Sequence, residues 1–457
     1  MVARLLCGVA LGVVCASSPA APEMGVYRWD APTGPANVDA FSQWLGKPVT
    51  LAEAFEASDR WDNVDGAAWQ LGPWSQWVRA QNGRNLILSV PMLAGGWDLA
   101  GADGVAGTAD DLSLAKCGAG HYDAHWANLA NELAYYGLHW AYLRLGWEPD
   151  GGWYTWRAQQ GQGNEANYAS CFRRIVEVMR KTQPANQWKF VWNPTTAWWD
   201  KSYLDAIWPG NDYVDLVGID FYDQSWAQNT YPYPSVCDAA CRLTRQQNAW
   251  NHQSWYLYTI RDFAIAHGKA MAIPEWGVAI RPDGHGGGDN PYFVQKMHEF
   301  IMNPGNYVAF HSYFNVSAVD IDARLTDSVT GDVPSGATRF PESAALFRRL
   351  FGAEAAPAPA PATDNTAPSV HLTSPPEGTV IRRRTTIDLE ATASDSVGVV
   401  AVEFFVNKRR VCRDETAPYR CAWNTSARFE RSYTITATAK DAAGNSASWT
   451  RICGSAK

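Results

Sequence analysis

Leu143–Arg157 reads LRLGWEPDGGWYTWR. Its opening continues the apolar run WAYLRLG, Trp140–Gly146, which has the pattern of a strand buried on both faces, and Pro149–Gly152 breaks that run with turn residues. Glu148 therefore stands where a strand gives way to a loop, with Trp147 before it and Trp153, Tyr154 and Trp156 after it. The stretch KAMAIPEWG, Lys269–Gly277, repeats the arrangement with Glu275 at the end of the run. Working outward, eight such runs occur: Gly25–Trp29, Val49–Phe55, Asn85–Leu93, Trp140–Trp147, Trp188–Thr195, Tyr213–Tyr222, Lys269–Trp276 and Tyr307–Asn315. Most are followed by apolar residues at helical spacing, as in Trp126, Leu129, Leu133 and Tyr136, or Phe172, Ile175, Val176 and Met179. Eight alternations of strand and helix predict an α/β fold, a closed (β/α)8 TIM barrel. Glu148 ends the fourth run and Glu275 the seventh, so both are expected at the mouth of the barrel, facing across it.

The 457 residues exceed one barrel. Arg4, an apolar stretch Leu5–Cys15 and small residues through Ala21 read as a secretory signal peptide over residues 1–21, too short to span a membrane. Lipid attachment at Cys15 is the alternative, against which Val14 is bulky. The barrel is expected over 22–353. AAPAPAPA at Ala355–Ala362 cannot form a core and marks a Pro/Ala-rich linker over 354–366. Beyond it, 367–457 alternates apolar and polar positions with period two, in VVAVEFFV and YTITATA for example, which predicts a small all-β sandwich. Its segments TSPPEGTV, TAPYRCAW and AKDAAGNSAS resemble bacterial immunoglobulin-like modules.

A formal net charge of -8 argues against a nucleic-acid partner. No later segment is apolar enough to span a bilayer. Signal removal takes Cys7 and Cys15, leaving seven of the nine cysteines, and an exported chain can oxidise them. Cys237 and Cys241 are close enough for a local bridge, Cys412 and Cys421 flank a hairpin-like stretch, and Cys117 with Cys171 can join neighbouring loops, leaving Cys453.

Two carboxyl groups at opposed strand ends are the minimum equipment for breaking a glycosidic bond. One must hold a proton for the leaving oxygen, and the other must stay ionised. Glu148, between Trp147 and Pro149, suits the proton donor; Glu275 needs Tyr222, Arg144 or Asn193 beside it to remain a carboxylate. Arg144, Glu148, Gly152, Trp153, Tyr154 and Trp156, together with VGIDFY at Val217–Tyr222 and PEWG at Pro274–Gly277, resemble glycoside hydrolase family 26, largely β-mannanases of the retaining clan A. The resemblance covers the barrel from Val26 to Asn315. It implies Glu148 as acid/base, Glu275 as nucleophile and retention of anomeric configuration. It departs at Trp147, where the family usually carries a histidine that holds the sugar next to the cleaved bond.

Trp153, Trp156, Trp198 and Trp199 lie in loops after strand ends, as stacking surfaces for sugar rings or as packing between loops. Tyr222 is expected beside the nucleophile. Arg144 is expected to orient carboxylates, and Asn193 to meet a sugar hydroxyl or to cap a loop. The predicted substrate-binding set is thus Arg144, Trp153, Trp156, Asn193, Tyr222 and Trp198, with Asp220 in reserve for the acids. The loop AGADGVAGTADDL offers Asp103, Asp110 and Asp111 as a solvated turn or a calcium loop, and Arg281–Asn290, with His285, as a loop that closes over substrate or lies inert. The expected protein is a secreted or extracellular monomer, free or cell-wall associated, cleaving a β-linked polysaccharide of β-1,4-mannan type without cofactor or metal. Xylan, mixed-linkage glucan and bacterial wall glycan remain open as substrates. So does a non-catalytic glycan-binding cell-wall protein.

Overall fold

A computed structural model describes residues 21–95, 99–101, 105–108, 110–329, 331–333, 335–353, 367–395, 399–414, 419–425, 432–441 and 444–455. The expected signal peptide, apart from Ala21, the expected linker 354–366 and Asp103 lie outside the described residues. The chain divides into two compact units, Met1–Ala355 and Ala356–Lys457.

In the first unit, β1 (Glu23–Tyr27), β2 (Leu51–Phe55), β3 (Asn85–Val90), β4 (Tyr142–Leu145), β5 (Lys189–Trp192) and β6 (Leu216–Gly218) pair in parallel in that order. β7 (Phe221–Tyr222) continues the run of β6, and both pair with β8 (Ala270–Gly277). β9 (Val308–Phe314) pairs with β8 and with β1, closing the ring. All eight expected runs are therefore strands of one closed parallel barrel.

Each strand places alternate residues inside the ring, and the interior is built in layers. Leu51, Ile87, Val191, Leu216, Ala272 and Phe310 form an apolar layer. Two residues further along their strands come Glu53, Ser89, Asn193, Gly218 and Ser312, and the same step on β4 leads from Tyr142 to Arg144. The barrel thus changes from hydrocarbon to hydrogen-bonding groups over one strand period, toward its C-terminal end.

The helices follow from the same patterning. The helix Glu165–Thr182 buries Tyr168, Cys171, Phe172, Ile175, Val176 and Met179 along one stripe and stops before Pro184. The helix Pro291–Met302 starts with Pro291 in its first turn and with Asn290 accepting from the Phe293 N–H at 3.2 Å.

The second unit has a three-stranded sheet and a five-stranded sheet around a core that includes Leu372, Leu389, Phe404, Tyr433 and Ile435. Disulfides join Cys117 to Cys171, Cys237 to Cys241 and Cys412 to Cys421, while Cys453 is free and buried. No described helix is long and apolar enough to cross a membrane.

Of the three bridges, Cys117–Cys171 closes the longest loop, with a sequence separation of 54, and pins the helix Leu114–Gly118 to the helix Glu165–Thr182. The paired substitution Cys117→Ser with Cys171→Ser is expected to lower unfolding stability by about 2–4 kcal/mol. Denaturant titration checks this, and an unchanged midpoint would count against a constraining role.

Candidate active site

Arg144 is the centre of the polar layer, with no solvent exposure. Its Nη1 donates to Glu275 Oε1 at 2.6 Å, to Glu53 Oε1 at 3.1 Å and to Ser89 Oγ at 3.1 Å. Nη2 donates to Asp220, and Nε to Asn193 Oδ1 at 3.2 Å. One guanidinium therefore meets carboxylates from β2, from the β6–β7 junction and from β8. Burial and the neighbouring Glu275 charge drive Glu53 and Asp220 well above the usual carboxylate range, against the pull of Arg144.

Glu275 is 7% exposed and faces the cleft. Arg144 holds Oε1, and the Tyr222 hydroxyl donates to Oε2 at 2.6 Å. Asp220 Oδ1 accepts from the Glu275 N–H at 3.1 Å, fixing the backbone that carries it.

Glu148 opens into the same cleft of about 590 Å³, without a cation in direct contact. Its backbone is left-handed, φ 50°, in a residue that is not glycine, a conformation costing about 1–3 kcal/mol that persists where surrounding contacts enforce it. Those contacts are the Glu148 N–H donating to Asn193 O at 2.7 Å and the Gly151 N–H donating to Glu148 O at 3.1 Å. Burial pushes its carboxyl up to about 8, and the charge of Glu275 adds to that push. Arg144 and the Trp153 indole, which donates to Oε2 at 2.7 Å, pull the other way. A Cβ at Gly151 would lie 2.3 Å from the Trp153 ring, so only glycine there lets the indole reach the acid.

Residues 125–252 match the family model described as glycosyl hydrolase family 26, and residues 368–437 match that of the bacterial Ig domain. The family 26 match lies within the barrel unit. Endoglucanase H of Acetivibrio thermocellus is 31% identical over 128 residues, 26% of this chain and 14% of that protein. A mannan endo-1,4-beta-mannosidase of Bifidobacterium adolescentis is 25% identical over 162 residues, 34% of this chain and again 14% of the relative. The matches thus span about one seventh of either curated relative. A solved Cellulomonas fimi endo-beta-1,4-mannanase double mutant aligns over 95% of this chain and 94% of its own, with 17% identity and a TM-score of 0.48.

Trp147 stands where the resembled family usually carries a histidine, and it does not offer its N–H to the cleft. It is 4% exposed, it packs on Phe55 and Trp156, and its indole donates to the Tyr154 hydroxyl at 2.8 Å. Of the six expected substrate-binding residues, Trp153 and Tyr222 line the cleft, while Arg144, Trp156, Asn193 and Trp198 are buried outside that lining. Trp156 is 1% exposed, stacked under Tyr154 at 4.5 Å and hydrogen-bonded to Trp147 O, so a sugar ring has no access to it. Trp198, also 1% exposed, packs against Trp255 and Tyr256 and donates to Thr195 O. Both are loop cores rather than platforms. Asn193 is fully buried and engaged with Arg144 and Pro194 O, which places it behind the acids rather than against a sugar hydroxyl. Trp153 lines the cleft and is 47% exposed, whereas Trp199 is exposed outside that lining.

The loop 281–290 is tied down rather than poised to close. The Gly287 N–H donates to Asp223 O at 3.0 Å, the Tyr233 hydroxyl to Gly287 O at 2.8 Å and Asn290 Nδ2 to Asp223 Oδ2 at 2.7 Å. In the acidic loop, Asp110 and Asp111 accept from Thr108 Oγ1, and among the described residues no group of three or more metal-binding side chains forms.

Sequence reasoning passed over Glu53, and over Tyr27, Phe55 and Phe314, which line the cleft around the acids. Glu53 carried a usable signal: a charged residue on the inward side of an otherwise apolar strand needs a buried partner. Removing that partner tests the cluster. Arg144→Met is expected to cost about 3–5 kcal/mol of stability, because three carboxyl groups lose their cation. Urea unfolding checks this, and a loss below about 1 kcal/mol would contradict it.

Proposed function

We propose that this chain is an exported, retaining endo-glycoside hydrolase that cleaves a β-linked polysaccharide, of β-1,4-mannan type, by double displacement. The observation that carries the reading is the unequal pair in one cleft: Glu148, raised to about 8, and Glu275, held by Arg144 and Tyr222. At neutral pH Glu148 keeps the proton that the leaving oxygen requires. Glu275 attacks the anomeric carbon, and the glycosidic bond breaks as Glu148 protonates the departing oxygen. Bonding to the sugar removes the Glu275 charge, one of the two main causes holding Glu148 high, so Glu148 becomes a stronger acid and its carboxylate persists as the base for the incoming water. Water then attacks the same carbon, gives its proton to Glu148 and releases Glu275, with net retention. Tyr222, Arg144 and Asn193 position the acids, and Trp153 faces the substrate.

The signal peptide over 1–21 and three disulfides support export. Division into a catalytic unit over 22–353 and an immunoglobulin-like module over 367–457 completes the proposed arrangement, with a monomer as the acting species. Trp147 favours a second reading on substrate alone. With the family histidine replaced by an inward-packed indole, a glucan or another β-glycan competes with mannan, in keeping with the name of the Acetivibrio relative.

Glu148→Ala and Glu275→Ala are each expected to lower kcat on the cleaved glycan by at least about 10²–10⁴-fold with folding intact. Reducing-sugar release from mannan, glucomannan, xylan and mixed-linkage glucan measures this, and near wild-type turnover in either variant would refute the assignment. Binding to these glycans without products would instead favour a non-catalytic glycan-binding protein. The active form carries protonated Glu148, whose population falls as pH rises through its value of about 8, so kcat/KM is expected to decline on that alkaline side. A flat profile from pH 7 to 10 would contradict the role of Glu148 as the acid.

A further inference from the structure

Trp226, in the segment following β7, lines the same cleft as Glu148 and Glu275 and remains 57% exposed. An indole that open, inside a concave site, is a large apolar surface with its covering partner still to come. It is also held rigid. The His285 ring stacks on it with centroids 5.2 Å apart and planes 23° from parallel. His285 is tied twice to Ser225: the Ser225 N–H donates to His285 O at 3.0 Å, and Nδ1 lies 3.0 Å from Ser225 O. A carbonyl oxygen only accepts, so Nδ1 carries the proton and the ring orientation is set. The Arg281 guanidinium lies 5.4 Å from the Trp226 ring centre, and its Nη1 donates to Gln224 Oε1 at 3.2 Å.

The groove extends past this point. Arg281, Ala318 and Ile321 are shared between the cleft and an adjoining hollow of about 290 Å³, bounded further by Val319 and Arg339. Trp153 and Glu148 stand on the loop after β4, whereas Trp226 and Arg281 stand on the loops after β7 and β8. A chain lying across the two acids and reaching Trp226 must therefore occupy more of the cleft than the units whose bond is cut.

We propose that Trp226, with Arg281 at its rim, is a distal sugar subsite that grips units of a β-linked glycan beyond the pair being cleaved, and that the chain continues from it over the hollow toward Arg339. The inference rests on the hydrolase reading of the same cleft and names its substrate class as an extended polymer. A pyranose ring with equatorial hydroxyls presents a flat face of C–H groups that matches an indole, while its rim hydroxyls suit a guanidinium. A preorganised platform binds such a ring without first ordering the side chain.

The test is calorimetric titration of the full chain carrying Glu275→Ala with β-1,4-linked manno- and gluco-oligosaccharides of two to six units. Adding Trp226→Ala is expected to weaken hexasaccharide binding about tenfold and disaccharide binding less than about twofold, while Trp226→Tyr retains most of the affinity. Unchanged hexasaccharide affinity, equal loss at every length, or no binding of either series to the Glu275→Ala parent would overturn the subsite. Length-dependent loss on Trp226→Ala, in a protein whose wild type releases no product, would support the subsite while removing the hydrolase reading. Product release without any length dependence removes the subsite alone.

Discussion

One guanidinium organises the interior of this barrel. Arg144 is shut off from water and shared among Glu53, Asp220 and Glu275. A cation with no carboxylate around it could not be kept there, and three carboxylates without the cation would repel one another in a low-dielectric interior. The hydrogen bonds dictate the arrangement as much as the charges do. Ser89, Asn193 and Ser312 take up donors and acceptors that the ions leave over, with Ser312 Oγ donating to Glu53 Oε2 at 2.9 Å. Groups from β2, β3, β8, the end of β5 and the β6–β7 junction thereby meet on one side chain, and the strand period places Glu53, Ser89, Arg144, Asn193 and Ser312 one step beyond the apolar layer.

The asymmetry of the two cleft acids follows from that arrangement. Glu275 shares the buried cation and the Tyr222 hydroxyl. Glu148 lies beyond direct reach of Arg144 and feels burial and the Glu275 charge more strongly than it feels the guanidinium. Two residues of identical chemistry thus sit in different surroundings, one bound to a cation and a hydroxyl and the other raised by burial, an inequality that the proposed cleavage by paired carboxyl groups uses. The left-handed turn at Glu148, held by Asn193 O, connects the same polar layer to the position of the second acid.

The sequence was most legible where physics is local and periodic. Eight apolar runs separated by helical stripes imply a closed barrel, and a run that ends on glutamate places that glutamate at the mouth. Tryptophan was less legible. Trp153, Trp156 and Trp198 occur in similar loop contexts, and only packing separates the open ring of Trp153 from the two that fill loop cores. Trp226 was not foreseen as a cleft residue, and Arg281 only as the start of a loop that closes over substrate or lies inert, because their placement depends on how separate loops fold against each other, through Ser225, His285 and Gln224. Glu53 sat inside LAEAF as one acid among small residues, and its partner Arg144 lies 91 positions away. The pairs Cys237–Cys241 and Cys412–Cys421 were recoverable from spacing, whereas Cys117–Cys171 joins two helices across a separation of 54 rather than two neighbouring loops.

The account turns on Glu148 being held protonated by burial and by the charge of its neighbour. Titration of the Glu148 carboxyl by carbon-13 NMR, in the wild-type chain and in Glu275→Gln, tests this directly. The expected wild-type midpoint is about 8, moving down when Glu275 loses its charge. A wild-type midpoint in the ordinary glutamate range, or one that Glu275→Gln leaves in place, would contradict the coupling on which the proposed chemistry depends.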